Sequence, residues 1–166
     1  LLAAAFLYCQ ARILQAARGI PAWREPLTVP LLVATGLAEG AGLYWLAAAA
    51  WQPGRGTAWL ALGVLLALRL ALVMLWHRRL ATQLRPAALR AVRHTAMLCN
   101  AATLAALALV LLVAVAPVAP SAAPLQALAG VLAAAGGALF KFMLVTRAGF
   151  NQGFALPHLP VRGSRR

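Results

Sequence analysis

Acidic residues are almost absent from this chain. Glu25 and Glu39 are the only two, set against 14 Arg and one Lys, and the net charge is +13. Charge of either sign is scarce, at 10% of residues, where a soluble domain carries about 25%. So few charges exclude an ordinary water-soluble domain over the 166 residues. Cysteine is limited to Cys9 and Cys99, with no CxxC and no Cys/His cluster. Neither a disulfide framework nor a protein-held metal is indicated. No nucleophile sits with a base, and there is no Walker loop and no zinc spacing, so the segment shows no catalytic constellation of its own. Histidine is limited to His77, His94 and His158. A haem b in a bundle needs two facing imidazoles, or one with another axial ligand. Two histidines at membrane edges are weak support, and no haem is expected.

What the chain has in abundance is apolar length: 64% of residues are hydrophobic and the mean hydropathy is +0.85. Four runs stand out, at about Thr28–Trp51, Thr57–Trp76, Thr95–Ala119 and Pro124–Thr146. Each has the ~20 residues a helix needs to cross ~30 Å of hydrocarbon. The expected fold class is an all-α membrane protein, with residues 1–166 forming one transmembrane helical domain. Leu1–Tyr8 is apolar but too short to span. With no basic n-region before it and no clear cleavage site after it, it is not a signal peptide. It reads as the last turns of a further helix whose beginning is absent, so the chain is expected to be the C-terminal part of a longer protein.

The basic residues fall mainly in the connections. Gln10–Pro26 holds three, Gln52–Gly56 one, His77–His94 five, Pro117–Ala123 none, and the tail from Arg147 four. A Lys/Arg excess marks the cytoplasmic side, which places the first connection, the 77–94 segment and the C-terminus there. In a soluble protein this charge would suggest nucleic acid; here it suggests topology and anionic headgroups, and no nucleic acid is expected. Within 77–94, Leu80, Leu84, Ala88 and Val92 fall at helical spacing, which fits a surface amphipathic helix. Pro86 interrupts the pattern, so a plain basic loop fits equally. Trp23, Trp45, Trp51, Trp59 and Trp76 cluster near span ends, where the headgroup region suits an indole.

Charges inside hydrocarbon need a partner or a purpose. Glu39 is central in the first span, beside the GxxxG of Gly36–Gly40 that permits close helix approach. Arg69 lies about seven residues, and Lys141 about five, from the inner ends of their spans, within snorkelling range. Ala129, Ala133, Gly137 and Lys141 share one helical face, so Lys141 is expected to point inward. Gly137 should resist enlargement on that face, while Gly130, off it, should tolerate it. Pairing of Glu39 with Arg69 or Lys141 is the expected accommodation; the depths of Glu39 and Arg69 differ by only ~6 Å at ~1.5 Å per residue. A proton-handling or quinone-headgroup carboxyl and a packing-fixing ion pair are both open readings of Glu39.

Two stretches carry a resemblance. Ile20-Pro-Ala-Trp23, followed by Pro26, Pro30, Thr35, Gly40 and Gly42, resembles the loop and helix of the membrane-anchor subunit of dimethyl sulfoxide reductase-type molybdoenzymes. Phe140-Lys-Phe-Met-Leu-Val-Thr-Arg-Ala-Gly-Phe-Asn-Gln-Gly-Phe-Ala-Leu-Pro-His-Leu-Pro-Val-Arg-Gly163 is similar to the C-terminal end of a subgroup that includes phenylacetyl-CoA:acceptor oxidoreductase membrane subunits. The resemblance implies an eight-helix anchor in the bacterial inner membrane, of which this would be the C-terminal half. It implies an iron–sulfur electron-transfer subunit and a molybdopterin catalytic subunit as partners. It implies electron exchange with membrane quinone, menaquinone or ubiquinone, in anaerobic respiration. No residue here matches the family's quinone-linked histidine, which belongs to the N-terminal half. Glu39, Arg69 and Lys141 are then the quinone or proton-handling candidates. Trp23, Arg78, Arg79, Arg147 and Asn151 are the subunit-docking candidates. A secondary transporter or a non-redox membrane scaffold would show similar parts.

Overall fold

In a computed structural model the described residues are 2–17, 20–49, 57–83, 86–115 and 122–150. Six helices occupy them: α1 (Leu2–Ala16), α2 (Pro21–Arg24), α3 (Thr28–Ala48), α4 (Thr57–Gln83), α5 (Pro86–Val115) and α6 (Ala122–Phe150). No strand occurs among the described residues, and four helices are long and apolar enough to cross a membrane, at Thr28–Ala48, Ala58–Thr82, Ala96–Val115 and Ala123–Ala148. The chain is an all-α membrane protein.

Proline sets the helix starts. Pro21 and Pro86 open α2 and α5, while Pro30 and Pro124 lie within the first turns of α3 and α6. There the missing N–H has no intrahelical acceptor to lose and the fixed φ suits the helix. Helices α3 to α6 form an antiparallel ring, α3 against α4, α4 against α5, α5 against α6, and α6 back against α3. The short α1 lies outside, against α3. Large apolar side chains such as Val64, Met97, Leu111 and Phe142 cover the outer surface. Against lipid tails that exposure costs nothing, and close packing rather than hydrophobic burial holds the ring together.

Several boundaries differ from expectation. Helix α1 continues past Tyr8 to Ala16, so the Gln10–Ala16 stretch is helix and not connection. The 77–94 segment is not a loop: α4 runs on to Gln83 and α5 begins at Pro86. Arg, Leu, Ala and Gln are good helix formers, so a helix that leaves hydrocarbon has no reason to end at its last apolar residue. Nor is there a separate surface helix. Leu80 belongs to α4 and Val92 to α5, and both are buried in one apolar cluster. Pro86 starts a helix instead of interrupting one. The 51–56 and 116–121 connections, and with them Trp51 and Arg55, lie outside the described residues.

The tryptophans turn inward. Trp45, Trp59 and Trp76 are buried in the bundle. A buried indole needs an acceptor, and each finds one. Trp59 donates to the Val110 carbonyl at 2.9 Å, Trp76 to the Thr28 hydroxyl at 3.0 Å, and Trp45 to the Ala58 carbonyl at 3.3 Å. Half-buried Trp23 donates to the Leu144 carbonyl at 2.9 Å, which fastens α2 to α6. These rings face the interior of the bundle and stitch its elements together.

The close α3–α6 approach also lies elsewhere than expected. Gly40 has open space where a side chain would stand, and a Cβ on Gly36 would meet Leu7 of α1. The tight contact is between Gly42 and Gly130: a Cβ on Gly42 would lie 2.8 Å from the Gly130 carbonyl oxygen, and one on Gly130 would strike the Gly42 carbonyl. Gly130 is therefore the more constrained position, contrary to the expectation that it tolerates enlargement. The packed face of α6 comprises Gly130, Ala133, Ala134 and Gly137, an i, i+3, i+4, i+7 band wider than a strict i, i+4 stripe.

Candidate functional site

The ring holds two apolar clusters. One, at the α2 end, contains Leu31, Val73, Trp76, Cys99 and Phe140; the other contains Ala38, Leu66, Ala106, Ala129 and Ala133. Between them every long helix changes character once. Helix α3 presents Thr35 and Glu39, α4 presents Arg69 between Leu66 and Val73, α5 presents Thr103 between Cys99 and Ala106, and α6 presents Gly136 and Gly137 between Ala133 and Phe140. On α4, α5 and α6 the flanking apolar residues are seven apart, so the interruption falls on the same inward face. The result is a polar layer across the middle of the bundle.

Glu39 and Lys141 form an ion pair in this layer, Lys141 Nζ donating to Glu39 Oε2. Arg69 does not snorkel. Helix α4 extends to Gln83, which places Arg69 at its midpoint and not near an inner end, and its exposure is only 3%. Its Nη2 donates to the Gly136 carbonyl at 2.8 Å. Arg69 Nη1 and Glu39 Oε1 are buried with no hydrogen-bond partner among the described residues. Thr35 and Thr103 donate to the carbonyls of Leu31 and Cys99 in their own helices. With all three groups ionised, two cations face one anion and the layer carries one net positive charge.

Gly136 and Gly137 make the room. A Cβ on Gly136 would stand 3.5 Å from Arg69 Nη1 and 3.2 Å from the Ala102 Cβ, and a Cβ on Gly137 would run into the Glu39 carboxyl. Gly137 thus admits the Glu39 carboxyl, while Gly136 lets α5 come close at Ala102. The Gly136 carbonyl is a functional group that residue-type reasoning passed over. An adjacent Gly pair inside an otherwise Ala/Leu-rich helix was the available signal, because such glycines usually have a packing reason.

Lys141 also faces outward from the ring. It lines a cavity of about 310 Å³ between α1, α3 and α6, whose lining is otherwise apolar, Leu7, Leu14, Leu32 and Leu144 among it, except for Gln10. That is at the lower end of the ~300–1,000 Å³ usual for small-molecule sites, which are mainly apolar with a few fixed polar groups. Sequence reading did not place this groove, because α1 creates one wall of it.

At the α2 end of the bundle, helix directions gather Arg12, Arg24, Arg78, Arg79, Arg90, Arg93 and Arg147, all exposed. Arg79 reaches the buried Glu25 carboxylate at 3.3 Å. Of the expected docking residues, Arg78 and Arg147 project from this basic face, Arg79 is engaged with Glu25, and the Trp23 N–H is engaged with Leu144. Asn151 lies outside the described residues, as do the rest of the tail with His158, and the side chain of His94. His77 packs its ring edge against Trp76 with centroids 5.0 Å apart.

No family model matches the chain, and neither a curated protein nor a solved structure does.

Proposed function

We propose that this chain is the C-terminal half of a quinone-linked membrane anchor of the dimethyl sulfoxide reductase type in the bacterial inner membrane. In this reading it docks an iron–sulfur electron-transfer subunit, which connects to a molybdopterin catalytic subunit, and it exchanges electrons with the quinone pool. The observation that carries the reading is Lys141: a cation inside hydrocarbon, paired with Glu39 and opening on an apolar groove. Intramembrane ionisable groups are expensive to keep and mark functional sites by default. The groove suits a molecule with an apolar tail and a hydrogen-bond-accepting head, which a quinone has. Interconversion of quinone and quinol moves two electrons and two protons. The electrons travel by way of the iron–sulfur subunit, and the Glu39 carboxyl stands beside the groove as a proton-handling group. The two sequence stretches around Trp23 and in the tail add independent support, and the basic face offers a surface for a soluble partner on the cytoplasmic side.

The test is purification of the tagged chain from its native membrane, with iron and molybdenum measured in the product. Both metals should accompany it. Glu39→Gln should keep assembly and dye-linked activity of the soluble subunits while slowing quinone-linked turnover. Purification of the chain without either metal removes the anchor reading, and ion-coupled uptake by the pure chain would replace it with a transporter. Reporter fusions at Arg55 and Arg85 should fall on opposite sides of the membrane, with Arg85 cytoplasmic.

A further inference from the structure

We infer that Lys141 works in two positions: paired with Glu39 when the groove is empty, and donating to a quinone carbonyl in the groove when it is filled, with Arg69 then taking over as the counterion of Glu39. The inference rests on the quinone reading and specifies how that site operates.

Three observations converge on it. First, Lys141 belongs to both places at once. Its Nζ holds Glu39 Oε2 while its side chain lines the groove, with about a third of it, 34%, exposed. A swing of a flexible four-carbon stem exchanges one contact for the other without moving a helix. Second, the layer has one cation more than it needs. A lone carboxylate cannot be left unpaired in hydrocarbon, so a single Lys–Glu pair would pin Lys141 in place. The second cation makes its departure affordable. Third, the replacement contact is already half prepared. Arg69 is anchored through Nη2 to the Gly136 carbonyl, and Nη1 is buried with no hydrogen-bond partner among the described residues, which is equally true of Glu39 Oε1. Glu39 Oε1 lies over the neighbouring Gly137. A purely structural triad would be expected to satisfy both atoms. An unsatisfied donor and an unsatisfied acceptor thus lie beside neighbouring glycines of α6, in the layer where the proposed exchange would join them.

The arrangement predicts an unusual pattern of substitutions. The probes are decyl-ubiquinone and a short-tailed menaquinone analogue, with affinity measured on the full complex in lipid nanodiscs and assembly checked by size-exclusion chromatography. Lys141→Met should weaken binding of the preferred probe at least tenfold, and Lys141→Arg should remain within a few-fold of the parent. Arg69→Met should also weaken it about tenfold although Arg69 does not line the groove, because Lys141 is then held at Glu39. Adding Glu39→Gln to Arg69→Met should restore binding, since no carboxylate remains to hold Lys141. Glu39→Gln alone should bind the probe more tightly and turn over more slowly, a split a structural role would not produce. Should Arg69→Met fail to assemble, the Glu39→Gln affinity and the infrared carboxylate band that it identifies decide the matter. That band must shift on quinone binding to the parent complex. Parent-like affinity in Lys141→Met, or no gain in Glu39→Gln, overturns the two-position lysine and leaves the quinone function standing. Failure of the parent complex to bind either probe removes the quinone function itself.

Discussion

Away from the basic face, α3 and α6 meet backbone to backbone at Gly42 and Gly130, and the cluster around them sets Ala38, Ala106, Ala129 and Ala133 beside buried Trp45 and Trp59. Toward the basic face the same two helices are bridged by the Glu39–Lys141 pair, and the cluster there is bulkier, with Trp76, Phe140 and Met143 and with contributions from α1 and α2. The groove opens only in this second half. The difference teaches where each kind of stability is needed. In lipid, apolar side chains gain little by leaving the solvent, so association depends on how closely backbones approach. The small-residue half achieves that approach and fixes the ring. Indole hydrogen bonds fasten both halves, and the half toward the basic face also carries the cavity and the ion pair.

The largest expected effect is at the tight end. Gly130→Leu places a branched side chain on the Gly42 carbonyl and should lower stability by about 3 kcal/mol, the upper part of the usual overpacking range. Unfolding in mixed micelles measures it, and a parent-like transition would break the division between the halves. Trp76→Phe, at the other end, removes one indole N–H from the Thr28 hydroxyl and should cost about 1 kcal/mol. An effect as large as that of Gly130→Leu would mean that the bulky half holds the fold equally. Arg69→Met leaves the Glu39–Lys141 pair intact and replaces a buried cation by an apolar side chain of similar length. Its stability should change by less than about 1 kcal/mol, in either direction, because buried charges are seldom net stabilising. A loss of several kcal/mol would show that the polar layer is structural. The smallest effect belongs to Gly40→Leu, which faces open space and should stay within about 0.5 kcal/mol of the parent.

Much of this was legible in the sequence. Apolar length identifies spans because no other structure satisfies the backbone in hydrocarbon, and α3 and α6 lie within a few residues of the expected runs. That Glu39 meets a basic side chain was legible too, and the small-residue face of α6 turned Lys141 inward; which of Arg69 and Lys141 takes the carboxylate was left open, and the structure pairs it with Lys141. What the sequence hid was of two kinds. Charges beyond the hydrocarbon do not end a helix, so the 77–94 segment read as a basic loop or a separate surface helix although His77–Gln83 and Pro86–His94 belong to α4 and α5. That error displaced Arg69 toward a membrane edge and made snorkelling look natural. The other kind was tertiary. Whether Gly40 or Gly42 makes the close contact depends on the rotation of α3 about its axis, and the groove depends on where α1 comes to rest. Neither leaves a mark in local spacing.

The Glu39–Lys141 pair also imposes an order on synthesis. Its partners are 102 residues apart in the chain. At about 5–20 residues per second, Glu39 waits roughly 5–20 s after leaving the ribosome before Lys141 exists. Helix α3 alone is a poor candidate for release into lipid, because its carboxyl has no cation yet. Arg69 emerges much earlier, and a nascent α3–α4 hairpin can shelter Glu39 against it until α6 arrives. That order predicts a hand-over of Glu39 from Arg69 to Lys141 during biogenesis, ending in the contacts of Arg69 with Gly136 and of Lys141 with Glu39. Nascent chains arrested just after α5 should crosslink Glu39 to Arg69 positions, and chains released after α6 should crosslink Glu39 to Lys141 positions instead.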